Sequence, residues 1–145
     1  MKLFAILPML LATAQAAPLA TLDGLPFGVL PKQELPARGC AAFLWSATGT
    51  RAMVAMAMAD PAQLRLSLGG TITDLARDAQ QGAEGFGFSA TTEYRSSDVT
   101  ATLDMKIAAR GDLKDGASVP EGTLRLDRAG QDSIVLPVVG LIGCA

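Results

Sequence analysis

The chain has 145 residues, with Lys+Arg 12 against Asp+Glu 14 and no histidine. That length suits one domain, and a mildly acidic chain without a basic cluster argues against nucleic acid as a partner. The missing histidine removes the commonest general base near neutral pH and the commonest metal ligand.

The N-terminal stretch 1–16 has a basic Lys2, an apolar run from Leu3 to Ala12 and the small-x-small triplet Ala14-Gln15-Ala16. This is the layout of a secretory signal peptide, and it predicts a periplasmic or secreted protein, soluble after cleavage. The run is far shorter than the roughly 20 residues that span a bilayer, and no later segment supplies a membrane span. Cleavage after Ala16 removes Lys2 and shifts the charge from 12 − 14 = −2 to 11 − 14 = −3. Residues 17–39 hold Pro18, Pro26, Pro31 and Pro36. Prolines at that density fix φ and remove ladder donors, so an extended arm is expected, with Leu25, Phe27, Val29 and Leu30 available to be covered.

The folded domain is expected over 40–145. Cys40 and Cys144 are the two cysteines, one near each end of it. In an exported chain, an even pair without metal-ligand spacing reads as one disulfide. Residues 40–46 and 51–59 are apolar on both faces, which suits strands covered on each side. Asp60-Pro61 ends the second, and 63–68 alternates Leu64, Leu66 and Leu68 against Arg65 and Ser67. Residues 74–81 are a helix candidate, with Thr73 to cap it and Gly82 to end it.

The clearest pattern lies over 86–110. Phe86, Phe88, Ala90, Thr92 and Tyr94 alternate with polar residues, and Val99, Ala101, Leu103, Met105 and Ile107 do so again. A period of two marks half-buried strands, since successive side chains leave opposite faces. Reversal over 95–98 sets Tyr94 opposite Val99, Thr92 opposite Ala101 and Phe86 opposite Ile107. Residues 111–122 read as a turn-rich loop, followed by a last hairpin over 123–127 and 133–139. Pro137 marks its second strand as an edge or a bulge. Seven to eight short strands predict an all-β, single-domain antiparallel sandwich or small barrel with at most one short helix.

Groups able to do chemistry are few. Glu93, Asp98 and Asp104 share the polar face of the hairpin, where a glycosidase pair could sit. Arg95 is placed to pair with Asp98 and Lys106 with Asp104, as on a solvated sheet. Met53, Met56 and Met58 are soft ligands that suit Cu(I), but Met53 is expected to point away from the other two. Gly82, Gly85 and Gly87 precede a strand rather than a helix, the wrong order for a phosphate cradle. No catalytic residue, metal ligand set or cofactor is therefore assigned.

Leu64 to Gly70, followed by a loop and Gly82-Ala83-Glu84-Gly85-Phe86, resembles the small periplasmic lysozyme inhibitors in its turn spacing. Those are exported β-barrels whose Ser-x-x-Gly-x-x-Tyr loop plugs the enzyme's cleft. Here Ala79 stands three residues before Gly82 and Gly85 three after it, so that serine and tyrosine are missing and no residue carries over.

These features favour a non-enzymatic module that binds a protein or envelope component, inhibition of an enzyme being one such role. The alternatives are a carboxylate-dependent periplasmic hydrolase and a Cu(I)-binding protein using Met56 and Met58. Binding is expected on loops held by the sheet. The candidates are 80–86, with Glu84, Gly85 and Phe86, and 111–122, with Asp112 and Lys114.

Overall fold

A computed structural model describes Ala12 and residues 21–145. The expected leader and its cleavage site, Ala12 apart, lie outside the described residues, as does the start of the arm. Eight antiparallel strands follow one another around a closed barrel: β1 (Cys40–Ser46), β2 (Met53–Ala59), β3 (Ala62–Leu68), β4 (Thr71–Gly85), β5 (Phe88–Ser96), β6 (Val99–Ala109), β7 (Gly116–Arg128) and β8 (Ile134–Cys144). Closure pairs β1 with β8 in a register that sets Cys40 opposite Cys144, and the two form a disulfide. The staple thus joins the first strand to the last where the barrel seam closes. Such a bond is consistent with an oxidising, exported compartment.

The interior is filled by the inward sets that the alternation marks: Ala42 and Leu44, Ala55 and Ala57, Leu64 and Leu66, Leu75, Tyr94, Ala101 and Leu103, Leu124 and Leu126, Val138 and Ile142. Eight strands enclose a space that side chains can fill, and alanines on β1 and β2 face larger leucines elsewhere. Outside, β3 to β7 carry ion pairs, Arg65–Asp74 at 2.8 Å and Lys106–Glu121 at 3.1 Å among them. A barrel crossing a membrane carries an apolar outer band, which these charged pairs interrupt on β3 to β7. Among the described residues, no helix is long and apolar enough to cross a membrane.

Rather than running extended throughout, the described arm folds back: Thr21 and Gly28 pair antiparallel around a turn at Asp23-Gly24. It then continues without regular structure, and it closes one mouth of the barrel. Leu22 and Phe27 are buried with the interior residues, and Phe27 bridges to Leu68. Gly28 donates its N–H to Ser67 at 2.8 Å, and Leu30 donates to the Met53 carbonyl at 2.8 Å. Beyond the mouth, Leu30 covers the outward faces of Ala41, Met56 and Met58. The doubly apolar character of β1 and β2 follows from this cover.

Several local expectations give way. Residues 74–81 are strand, not helix: β4 continues straight through them, with Leu64 opposite Leu75 on one side and Thr91 opposite Gln81 on the other. Pairing with β3 as far as Ala76 and with β5 from Ala76 onward outweighs a weak local preference. The β5–β6 hairpin keeps its expected inward sets except for Phe86, which lies exposed in the turn before β5 and not opposite Ile107. The register lies two residues away. Tyr94 pairs with Ala101, Thr92 with Leu103 and Ser96 with Val99. The turn tightens onto Ser97-Asp98, with Ser97 at φ 49°. A shift of two preserves every face, which is why alternation alone cannot distinguish these registers. Residues 116–122 belong to β7 rather than to a loop. Pro120 sits in the bulge between Val119 and Gly122, which accommodates its missing N–H. Pro137 marks neither an edge nor a bulge. It sits in regular register opposite Thr123 on β7, one residue before β8 begins to pair with β1 at Val138. Its carbonyl accepts the Ala47 N–H at 2.9 Å.

Candidate functional site

The turns β2–β3, β4–β5 and β6–β7 share the mouth opposite the arm, beside the disulfide. Both predicted loops, 80–86 and 111–122, therefore sit at one end of the molecule. The β4–β5 hairpin dominates that end. β4 pairs with β3 only as far as Ala76, whereas its pairing with β5 runs on to Gly85. β5 in turn pairs with β6 only from Thr91 onward. The tip 77–90 thus leaves both neighbours and extends as a two-stranded tongue. It bends back so that Phe88 is buried with the core, while a Cβ on Gly87 would stand 2.9 Å from the Ala59 Cβ.

Glu84 does not protrude as an acidic tip. It is half-buried, and its Oε2 accepts the Ile107 backbone N–H at 3.1 Å. That amide lies where β6 has lost β5 as a partner, so the carboxylate satisfies a donor that pairing no longer reaches. The exposed element is Phe86, 37% accessible and at φ 57°, between Gly85 at φ 116° and Gly87 at φ 84°. A left-handed backbone at a bulky aromatic is uncommon and costs about 1–2 kcal/mol. The flanking glycines make the turn feasible; the phenyl ring at its apex is held there against local preference.

The second loop is shaped by its own contacts. Arg110 grips Asp112 with two hydrogen bonds, at 3.0 and 2.8 Å, and holds that carboxyl below its usual value. Leu113 donates to the Arg110 carbonyl at 3.1 Å, closing the turn. Lys114 is exposed. Asp115 has φ 53°, and its carbonyl accepts the Cys144 N–H at 3.1 Å.

Where β5 leaves β6, a hollow of about 360 Å³ opens, lined by Glu84, Thr91, Asp104, Lys106, Glu121 and Thr123 among others. Its carboxylates are engaged. Asp104 accepts Thr91 Oγ1 at 2.5 Å and Thr123 Oγ1 at 3.2 Å, not Lys106 as the sequence suggests. Lys106 instead pairs with Glu121, directly opposite on β7. Arg95 meets Glu93 at 3.1 Å and Asp78 at 3.5 Å rather than Asp98, which lies in the turn. The Arg95 difference follows from the β5–β6 register, whereas Lys106 turns from Asp104, its neighbour on β6, to Glu121 because 116–122 is strand rather than loop. Among the described residues, no group of three or more Asp, Glu, Cys or His side chains is placed to hold a metal ion.

The methionines differ from expectation too. A bulge sets Trp45 opposite Met53 and Leu44 opposite Ala55, so Val54 and Ala55 both turn inward. Met53 is thereby brought onto the outer face with Met56 and Met58, beneath the arm. A bulge adds one residue and reverses the alternation beyond it. Compared with protein-family models, curated proteins and solved structures, the chain matches none. The fold and surface define a solid eight-stranded meander barrel with one mouth plugged by its own arm and a tongue at the other.

Proposed function

We propose that this is an exported, non-enzymatic binding module that engages a protein or envelope component through the β4–β5 tongue. The observation that carries the reading is Phe86: an aromatic side chain, partly exposed, at positive φ on the apex of the tongue. Backbone strain of this kind clusters where recognition needs a fixed geometry. Aromatic anchors entering a partner's pocket commonly dominate interface energetics. The packed interior supports a surface role, since core side chains occupy the space that a small ligand would take in a wider barrel. Inhibition of an enzyme whose cleft admits such a tongue is one form this activity would take.

The test is retention of a component from envelope extract by the full chain, compared with Phe86→Ala. The ring belongs to neither buried core cluster, so the variant should fold normally and lose retention at least tenfold. Unchanged retention would remove the reading.

A second reading has one observation in its favour. The β2 bulge gathers Met53, Met56 and Met58 on one covered face, a thioether set that suits Cu(I). Titration with Cu(I) and with Met56→Leu, which keeps the volume and loses the sulfur, separates it from the first.

A further inference from the structure

The tongue leaves one strand edge uncovered. β4 is 15 residues long, and β3 accompanies it only to Ala76. From Arg77 to Gly85, every residue is exposed except the half-buried Glu84. Among the described residues, β3 pairs with β4 no further than Ala76, and no loop or turn backbone bond reaches 77–85. Between bulges at Arg77/Ala79 and Ala83/Gly85, the segment 79–83 is in regular register with β5, Gln80 opposite Thr92 and Gln81 opposite Thr91. Ala79 to Gln81 offer alternate N–H and C=O groups at the spacing an added strand requires, before Gly82 at φ 71° turns the backbone.

We infer that the free edge of β4 over 79–83 is a docking strand that accepts an extended, basic peptide segment of a partner by strand addition. This rests on the reading of the tongue as the binding element and names the chemistry it takes.

The charge of the hairpin selects the partner. Residues 71–96 carry Asp74, Asp78, Glu84 and Glu93 against Arg77 and Arg95, four acids to two bases. Beside the edge itself, Arg65 of β3 takes up Asp74, and Asp78 and Glu84 flank 79–83 against Arg77. An incoming strand with lysine or arginine at alternate positions meets this excess, and an acidic one is repelled. A second copy of the chain fits worse. Two-fold antiparallel pairing centred on Gln81 sets Asp78 opposite Glu84 twice, and like charges directly opposite are destabilising. Centring on Gln80 places no charge opposite its complement. Gly82 and the two bulges further discourage an indefinite stack while leaving room for one short strand.

The experiment uses the full chain with a ten-residue peptide alternating lysine and valine, and its glutamate–valine counterpart, followed by amide hydrogen exchange. The basic peptide should protect alternate amides within 79–83, and the acidic one should bind at least tenfold more weakly. Single prolines at Gln80 and Gln81 sharpen the test, because neighbouring residues direct their N–H groups to opposite sides. The proline on the β5 side perturbs the hairpin. The one on the free side leaves the fold intact and should weaken the basic peptide at least fivefold.

Protection mapping outside 77–85, or equal binding of both peptides, would overturn the inference. So would concentration-dependent dimerisation that protects the same amides, which would assign the edge to a second copy. If strand addition fails while Phe86→Ala still abolishes retention from envelope extract, the reading of the tongue survives without it. If both fail, both are wrong.

Discussion

Asp23 holds Thr50 with both carboxylate oxygens: Oδ2 accepts the Thr50 backbone N–H at 2.9 Å and Oδ1 accepts its hydroxyl at 2.7 Å. The pair ties the arm to the β1–β2 loop, 27 residues away, at the mouth that Leu22 and Phe27 close. Thr50's hydroxyl and amide favour the charged carboxylate and lower its pKa from 3.8. A depressed folded value means that the contact is fully present above 3.8 and is lost as pH falls through the lower folded value. Asp23→Asn keeps the size and the tolerance of positive φ but loses the charge. Hydrogen exchange at the Leu22 and Leu25 amides should be faster in the variant at neutral pH. The two proteins should converge in acid, and parallel pH profiles would show that the carboxylate does not hold the arm.

The two faces of β6 should respond in opposite ways to the same change. Leu103 is 1% exposed, between Thr92 and Leu124 in the barrel interior. Thr102 lies on the outer face between Glu93 and Arg125. Leu103→Asp places an unpaired charge in the core and should unfold the domain. Thr102→Asp adds a charge beside one acid and one base, and should change stability by within about 1 kcal/mol. Denaturant melts of the two variants check this; equal effects would reject the face assignment.

Those faces were legible because alternation is a property of side chains along a single strand. Register is not, since pairings that differ by two residues bury the same side chains. The Arg95 partner therefore could not be read from the chain, and the Lys106 partner was missed because 116–122 reads as loop rather than as part of β7. Strand 74–81 was hidden for a related reason: only Leu75 within it is buried, so it carries no period of its own and takes its shape from its neighbours. The Met53 reversal depends on a bulge that no turn residue announces. At the tongue, the glycines at 82, 85 and 87 signalled unusual backbone. That Glu84 turns to Ile107, leaving Phe86 at the apex, depends on where β5 parts from β6.

The Cys40–Cys144 bond spans a separation of 104 residues and sits at the seam between β1 and β8. On the chain-entropy view, closing so long a loop is worth about 4–5 kcal/mol, through restriction of the unfolded chain. Replacing both cysteines by serine should keep the strand pairing, because each β1 residue retains its β8 partner, and lower stability by about 2–5 kcal/mol. Intact mass after alkylation, with and without reductant, checks the bond itself. Two alkylated thiols without reductant would contradict it.

Phe86 separates stability from recognition. At φ 57° a side chain carries a steric cost of about 1–2 kcal/mol, which glycine does not. Glycine also has more freedom to lose on folding, worth about 0.5–1 kcal/mol in the other direction. Phe86→Gly should therefore leave stability unchanged or raise it by up to about 1 kcal/mol, although an aromatic residue is deleted. Phe88, two residues on, is 6% exposed and packs with the core, so Phe88→Ala should cost about 3–5 kcal/mol. If the tongue is the binding element, Phe86→Gly also loses envelope retention while the fold is as stable as before. Thermal melts and the retention assay on the same samples decide the matter. A destabilised Phe86→Gly would mean that the ring packs within the tongue, and that it is held at the apex for structure rather than for a partner.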